Sequence, residues 1–181
     1  FVFQLKKMKK EGMIQIYTGN GKGKTTAAFG LAIRALGANL KVFIAQFIKK
    51  GNSSEIKFIQ KLNSPNIYVK SYGRGRFFKK APEKKDIEDS QNALLEIIKI
   101  TESGKYDVVI VDEIFPAIKC GLIDESLLID LIERKSDKTE LILTGRGASK
   151  KVISMAQLVT EMKEIKHYYK NGLKARIGIE F

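Results

Sequence analysis

One cysteine, one histidine and no tryptophan occur among the 181 residues. The lone Cys120 excludes an intramolecular disulfide and fits a reducing compartment; with only His167 for company it cannot build a structural zinc site. Long hydrophobic runs are missing too. Nothing approaches the roughly 18–20 apolar residues of a membrane-spanning helix, and residues 1–10 are basic without the apolar stretch of a signal peptide. The expectation is a cytoplasmic protein with no membrane segment. Acidic residues are the scarcer charge, 20 against 33 Lys and Arg, for a net charge of +13. Such a surface attracts anions: phosphates, nucleic acid or acidic lipid.

What is present is ordinary for a globular chain, 44% hydrophobic and 29% charged, so a buried core is expected. The length fits one domain. Residues 1–12 read as a basic N-terminal extension, expected to be flexible, and residues 13–181 as a single domain. From Met13 onward short apolar runs alternate with longer amphipathic segments, the mark of βα units around a mostly parallel sheet. The pattern predicts strands at residues 13–18, 41–47, 66–71, 108–111, 140–144, 157–160 and 175–180. It predicts a helix over 24–36 with Phe29, Ile33 and Leu36 on one face, stopped by Gly37. A second helix is expected over 83–103, with Ile87, Leu94, Ile98 and Thr101 in register. Shorter ones fall at 53–62, 124–134 and 149–155.

The sharpest local signal is Thr18-Gly19-Asn20-Gly21-Lys22-Gly23-Lys24-Thr25-Thr26, directly after a predicted strand and opening a predicted helix. That is the setting of a P-loop. Glycines let backbone N–H groups turn around phosphate oxygens, and the helix N-terminus adds partial positive charge. Lys24 reaches a terminal phosphate, and the Thr25 hydroxyl is suited to ligate Mg²⁺. The spacing departs from the usual pattern: counting back five from Gly23 lands on Thr18, so the first glycine is displaced by one, to Gly19. A loop of altered shape, holding its phosphates differently, is implied.

A metal-assisted phosphate site also needs acids at the carboxyl edge of a nearby strand. Val108-Val109-Ile110-Val111-Asp112-Glu113 supplies two, after a run apolar enough to be buried on both faces. The residues alone thus describe a Mg²⁺-dependent nucleoside triphosphate-binding α/β domain. They do not choose among hydrolysis coupled to a partner, phosphoryl transfer to a small molecule, and other uses of the triphosphate. One open reading is a P-loop ATPase acting with nucleic acid or another acidic partner, because Tyr72, Phe77 and Phe78 lie among Lys70, Arg74, Arg76, Lys79 and Lys80.

From Gly12 to Phe181 the chain resembles the P-loop type of ATP:corrinoid adenosyltransferase. The residues that carry the resemblance are Ile16 to Gly30 (IYTGNGKGKTTAAFG), Arg34-Ala35-Leu36-Gly37, Gln46-Phe47-Ile48-Lys49 and Asp112-Glu113. Further along come Leu143 to Ala148 (LTGRGA), Leu158 to Met162 (LVTEM), Lys166-His167 and the terminal Gly178-Ile179-Glu180-Phe181. The displaced first glycine is typical of that family. The resemblance implies a three-layer, RecA-like P-loop sheet with helices on both faces, a homodimer, and a flavoprotein reductase as a partner. It implies that Co(I) of cobalamin or a precursor attacks the 5′ carbon of ATP and that inorganic triphosphate leaves. ATP would lie reversed in the loop, with its γ-phosphate where other P-loop enzymes put the α-phosphate.

Carried over to this chain, the resemblance assigns ATP to Gly19, Asn20, Gly21, Lys22, Gly23, Lys24, Thr25 and Thr26, with Asn20 near the nucleoside end. Lys24, Thr25 and Glu113 are the candidate catalytic residues; Thr25, Glu113 and Asp112 are the candidates for Mg²⁺. No general base is implied, since Co(I) is itself the nucleophile. Family members usually carry Gly-Phe-Thr-Trp in the loop after the third strand; here the matching stretch is Gly75-Arg76-Phe77-Phe78, so corrinoid contact falls to Arg76, Phe77 and Phe78. Arg146 takes a structural or phosphate-side role, and His167 a structural one. Gln157 and Tyr168 stand where the family commonly has Asp and Pro. The excess charge clusters in residues 1–12, 70–85 and 163–176, which favours a local role with ATP, the corrinoid or an acidic reductase over nucleic acid.

Overall fold

The computed structural model describes residues 11–75 and 81–181. Six strands form one sheet: β1 (Ile14–Thr18), β2 (Val42–Gln46), β3 (Ile67–Ser71), β4 (Val108–Asp112), β5 (Glu140–Thr144) and β6 (Leu158–Glu161). Their order is β3-β2-β4-β5-β1-β6, and every pairing is parallel. β5 therefore lies between β1, which leads into the phosphate-binding turn, and β4, which ends in Asp112. This is a RecA-like α/β arrangement, and it brings both predicted site strands to one carboxyl edge.

The helices are α1 (Lys24–Gly37), α2 (Ser54–Leu62), α3 (Lys84–Glu102), α4 (Ile114–Lys119), α5 (Glu125–Glu133) and α6 (Lys150–Ser154). They cover both faces, as two apolar clusters record. Val42, Ile44, Val108, Ile110 and Ile142 point toward α1 and α2; Phe43, Ala45, Val109, Val111, Leu141 and Leu143 point toward α3, α4 and α5. The period-2 alternation of each strand thus feeds two cores. β2 and β4 are buried throughout, and each fully buried Val, Ile or Phe contributes roughly 1.5–3 kcal/mol.

Three expectations are corrected. Ile33 does not join the buried face of α1; it is 60% exposed. Ala28, Ala32 and Ala35 line that face with Phe29, because small side chains let the helix sit close on the sheet and turn Ile33 outward. Nor does Gly37 stop the helix. Asn39 takes the left-handed conformation, φ 59°, while Asn39 N donates to Leu36 O and Leu40 N to Ala35 O, the paired bonds of a Schellman ending. No strand forms at residues 175–180. Gly178 is left-handed at φ 76°, and the Arg176 N–H and guanidinium both bond to Glu180, closing the segment into a turn. Two elements go beyond the sequence pattern: α4, with Pro116 in its first turn where no N–H is needed, and a 3₁₀ turn at Tyr168–Asn171.

Candidate active site

The turn after β1 is a compact cradle closed by its own lysine. Lys24 Nζ donates to Gly19 O at 2.8 Å and to Gly21 O at 2.6 Å. Burial, and then the positive charge of Arg146, push the Lys24 pKa down; a negative ligand would relieve both effects. Gly19 and Gly23 have φ of 93° and 117°, which glycine adopts without penalty. A different force also demands glycine here: a Cβ on Gly19 would meet Met162 O at 2.5 Å, and one on Gly21 would meet it at 2.7 Å. Gly21 N donates to that carbonyl at 2.6 Å, and Met162 N to Thr18 O at 2.8 Å. The segment after β6 is therefore the outer wall of the loop, and one loop N–H is committed to it. The N–H groups opening α1 belong to the first turn of a helix, where no intrahelical acceptor serves them. Gly21 to Thr26 line the cavity in front of them, whereas Gly19 and Asn20 do not border it; Asn20 is exposed.

Across the sheet edge, Asp112 is completely buried and fully engaged. Its Oδ1 accepts from Thr25 Oγ1 at 2.8 Å and Thr144 Oγ1 at 2.6 Å. Its Oδ2 accepts from Gln46 Nε2 at 3.0 Å and Lys49 Nζ at 3.3 Å. Four donors use up the carboxylate, so Asp112 holds Thr25 from behind. Glu113, left-handed at φ 60°, borders the cavity and lies 3.7 Å from Lys49 Nζ. Burial and the neighbouring Asp112 charge raise the Glu113 pKa, with Lys49, Lys24 and Arg146 acting against them. Burial works against the charge on Lys49, but the Asp112 and Glu113 carboxylates outweigh it and raise its pKa.

No role for Gln46, Lys49 or Thr144 follows from the sequence pattern alone. The usable signal is that Gln46 and Thr144 are polar residues each ending a strand after three or more apolar ones; Gln46 pairs in register with Asp112, and Thr144 follows Leu143, the partner of Val111.

Both halves open into one cavity of about 860 Å³. Its lining includes the charged Lys24, Lys49, Glu113 and Arg146 with the Thr25 hydroxyl, and the apolar Phe29, Ile33, Ile48, Pro116 and Ile179. The outward Ile33 thereby gains a place. His167 borders the cavity too, yet its Nδ1 accepts from Tyr169 N at 3.1 Å and caps the 3₁₀ turn, in keeping with a structural part. Lys22 is exposed and tied to the C-terminal segment, at 3.1 Å from Glu180 Oε1 and 3.0 Å from the Tyr168 hydroxyl. Arg76, Phe77 and Phe78 lie outside the described residues.

A family model described as ATP:corrinoid adenosyltransferase BtuR/CobO/CobP matches residues 10–181. The chain belongs to this family. Curated relatives named corrinoid adenosyltransferase agree. One from Pseudomonas aeruginosa is 31% identical over 172 residues, covering 95% of this chain and 85% of its own length. Another, from a Sinorhizobium species, is 32% identical over 177 residues, covering 97% and 83%. Among solved structures, the flagellar accessory protein FlaH of Methanocaldococcus jannaschii superposes with a TM-score of 0.58 at 19% identity, over 84% of this chain and 71% of that one. At that identity the likeness speaks for the fold alone. Membership in the adenosyltransferase family accords with the resemblance read from the motifs, and it makes the chain a transferase that uses ATP and a corrinoid.

Proposed function

We infer that the chain transfers the 5′-deoxyadenosyl group of ATP to the reduced cobalt of a corrinoid and releases inorganic triphosphate. The observation that carries this reading is the shared cavity, which is lined both by the phosphate cradle and by apolar side chains. An ordinary phosphoryl-transfer site needs the γ-phosphate exposed to its acceptor. Here the triphosphate is the leaving group, so the cradle belongs around the departing charge, with C5′ toward the apolar side chains.

Lys24 and the N–H groups opening α1 would take the negative charge that develops on the triphosphate, and Arg146, which lines the same cavity, would help. The oxygens near Thr25 suit a hard cation. Thr25 and Glu113 would hold Mg²⁺, with Asp112 orienting the Thr25 hydroxyl, and the bound ion would supply further charge neutralisation. Among the described residues no group of three or more His, Cys, Asp or Glu is placed to hold a metal, so two protein ligands would be completed by phosphate oxygens. No side chain need move a proton, and the protein's contribution is position and charge. The apolar side chains keep water from the reduced cobalt, and Arg76, Phe77 and Phe78 would meet the corrinoid. Homodimeric assembly, an acidic flavoprotein reductase and a cytoplasmic setting complete the proposal; among the described residues no helix is long and apolar enough to cross a membrane.

The nucleic-acid reading is not favoured. The Tyr72 ring stacks on Phe47 at 5.6 Å, Lys70 pairs with Glu96 at 2.7 Å, and Arg74 with Asp86 at 3.2 Å and also with Asp89. These groups are engaged within the protein. The deciding experiment incubates the protein with Mg-ATP and chemically reduced cobalamin and identifies the phosphate product. Triphosphate with a light-sensitive alkylcobalt product is expected; ADP formed without dependence on corrinoid would overturn the assignment.

A further inference from the structure

Three oxygens assigned to the metal corner converge on a cation that the chain supplies itself. Lys49 Nζ lies 3.1 Å from Thr25 Oγ1, 3.3 Å from Asp112 Oδ2 and 3.7 Å from Glu113 Oε1. The Thr25 hydroxyl gives its proton to Asp112 and accepts from Lys49. One of the two lone pairs of that hydroxyl is therefore occupied by an ammonium hydrogen, and a metal bound at the other would stand directly beside the Lys49 charge. We propose that Lys49 is the stand-in cation of this site: without nucleotide it holds the corner together, and it must vacate it for Mg²⁺ to bind. This rests on the reading of Thr25 and Glu113 as the metal-holding pair.

The backbone is built to aim that ammonium. Lys49 N donates to Phe47 O at 2.6 Å, closing a three-residue turn around Ile48, whose φ is 63°. A β-branched residue in that conformation is costly, and the neighbouring loop enforces it. Gly75 N donates to Ile48 O at 2.8 Å, and a Cβ on Gly73 would fall 2.2 Å from the Ile48 carbonyl carbon. The turn is thus clamped between the sheet edge and the loop that leads into residues 76–80.

The charges dictate the order of events. An ammonium and a divalent ion within one set of oxygens repel each other, and two carboxylates cannot satisfy both. A triphosphate brings new oxygens to which the displaced ammonium can bind. Metal entry is therefore coupled to nucleotide entry. Mg²⁺ alone is rejected, and Mg²⁺ carried on ATP is accepted.

The test measures Mn²⁺ binding by the loss of its free electron-paramagnetic signal, in nucleotide-free protein. Lys49→Met is expected to bind Mn²⁺ about tenfold or more tighter than the wild type, since the competing charge is gone. Lys49→Gln, which keeps a donor without the charge, is the second variant and carries the test should the first not fold. Affinity unchanged or weakened in the folded variant overturns the proposal. So does a gain that survives Glu113→Gln in the Lys49→Met background, because the ion is then elsewhere. A separate arm adds ATP to the wild type, Thr25→Val and Glu113→Gln. If neither substitution weakens Mn-ATP binding, the metal reading itself has failed; if they do while Lys49→Met gains nothing, only the stand-in role has.

Discussion

Two carboxylates flank the phosphate-binding turn, and each collects donors from several parts of the chain. Asp112 takes Thr25, Thr144, Gln46 and Lys49 from the inner side. Glu180 takes Lys22, Tyr168 and Arg176 from the outer side. The hydrogen-bond lists are of similar length, but the solvent is not. Asp112 is sealed in the sheet edge, whereas the cations around Glu180 keep 39% and 47% side-chain exposure. Around Asp112 Lys49 is comparably open, at 36% side-chain exposure, but Gln46 and Thr144 are completely buried and water cannot replace them. The inner network therefore fixes the site, and the outer one only fastens the C-terminal segment across it.

The largest effect is expected at the inner carboxylate. Asp112→Asn leaves the part-buried Thr25 and the buried Thr144 and Gln46 donors competing for one oxygen, a loss of about 3 kcal/mol or more, read as a lowered thermal midpoint together with near-complete loss of turnover. Retention of wild-type stability would mean that the inner network is not the stronger of the two. Lys24→Ala comes next. It keeps the sheet edge but removes the charge-assisted contact proposed for the leaving triphosphate, so turnover should fall on the order of 100-fold, with a much smaller change in stability. Near-normal turnover would place the triphosphate elsewhere. Gly19→Ala tests the wall behind the loop. A methyl group 2.5 Å from Met162 O at φ 93° must push the segment after β6 away, for about 1–3 kcal/mol of destabilisation, seen by chemical denaturation.

The inner half of this comparison was the more legible in the sequence. Local rules place the turn from Gly19 to Thr26 after a strand, and the run from Val108 to Asp112 cannot be other than a central strand. Together they predict a shared carboxyl edge, which the strand order delivers. What surrounds Asp112 was not legible, because Gln46, Lys49 and Thr144 reach it through parallel register and a strained turn at Ile48, neither of which leaves a local pattern. The outer half misled. Ala175, Ile177, Ile179 and Phe181 alternate like a strand, but Gly178 and the Arg176–Glu180 pair favour a turn. Ile33 was misread for a related reason: the pattern counts large apolar residues, while close packing on the sheet selected alanines.

The smallest effect is expected at Glu180, and it has a distinctive pH signature. Arg176 and Tyr168, then Lys22, hold its carboxyl well below the ordinary carboxylate range. A depressed folded pKa means that its contribution is complete above the unfolded value, declines progressively below it, and is gone once pH has fallen through the folded one. Protection of residues 168–181 in hydrogen exchange should therefore stay level from neutral pH down to the range where ordinary carboxylates titrate, begin to fall there, and keep falling into stronger acid. Glu180→Gln should remove that protection at neutral pH while leaving the thermal midpoint nearly unchanged, and added salt should mimic it in the wild type, since the cations are exposed. A fall in thermal midpoint as large as that of Asp112→Asn would break the contrast, because a network open to water would then be carrying the fold.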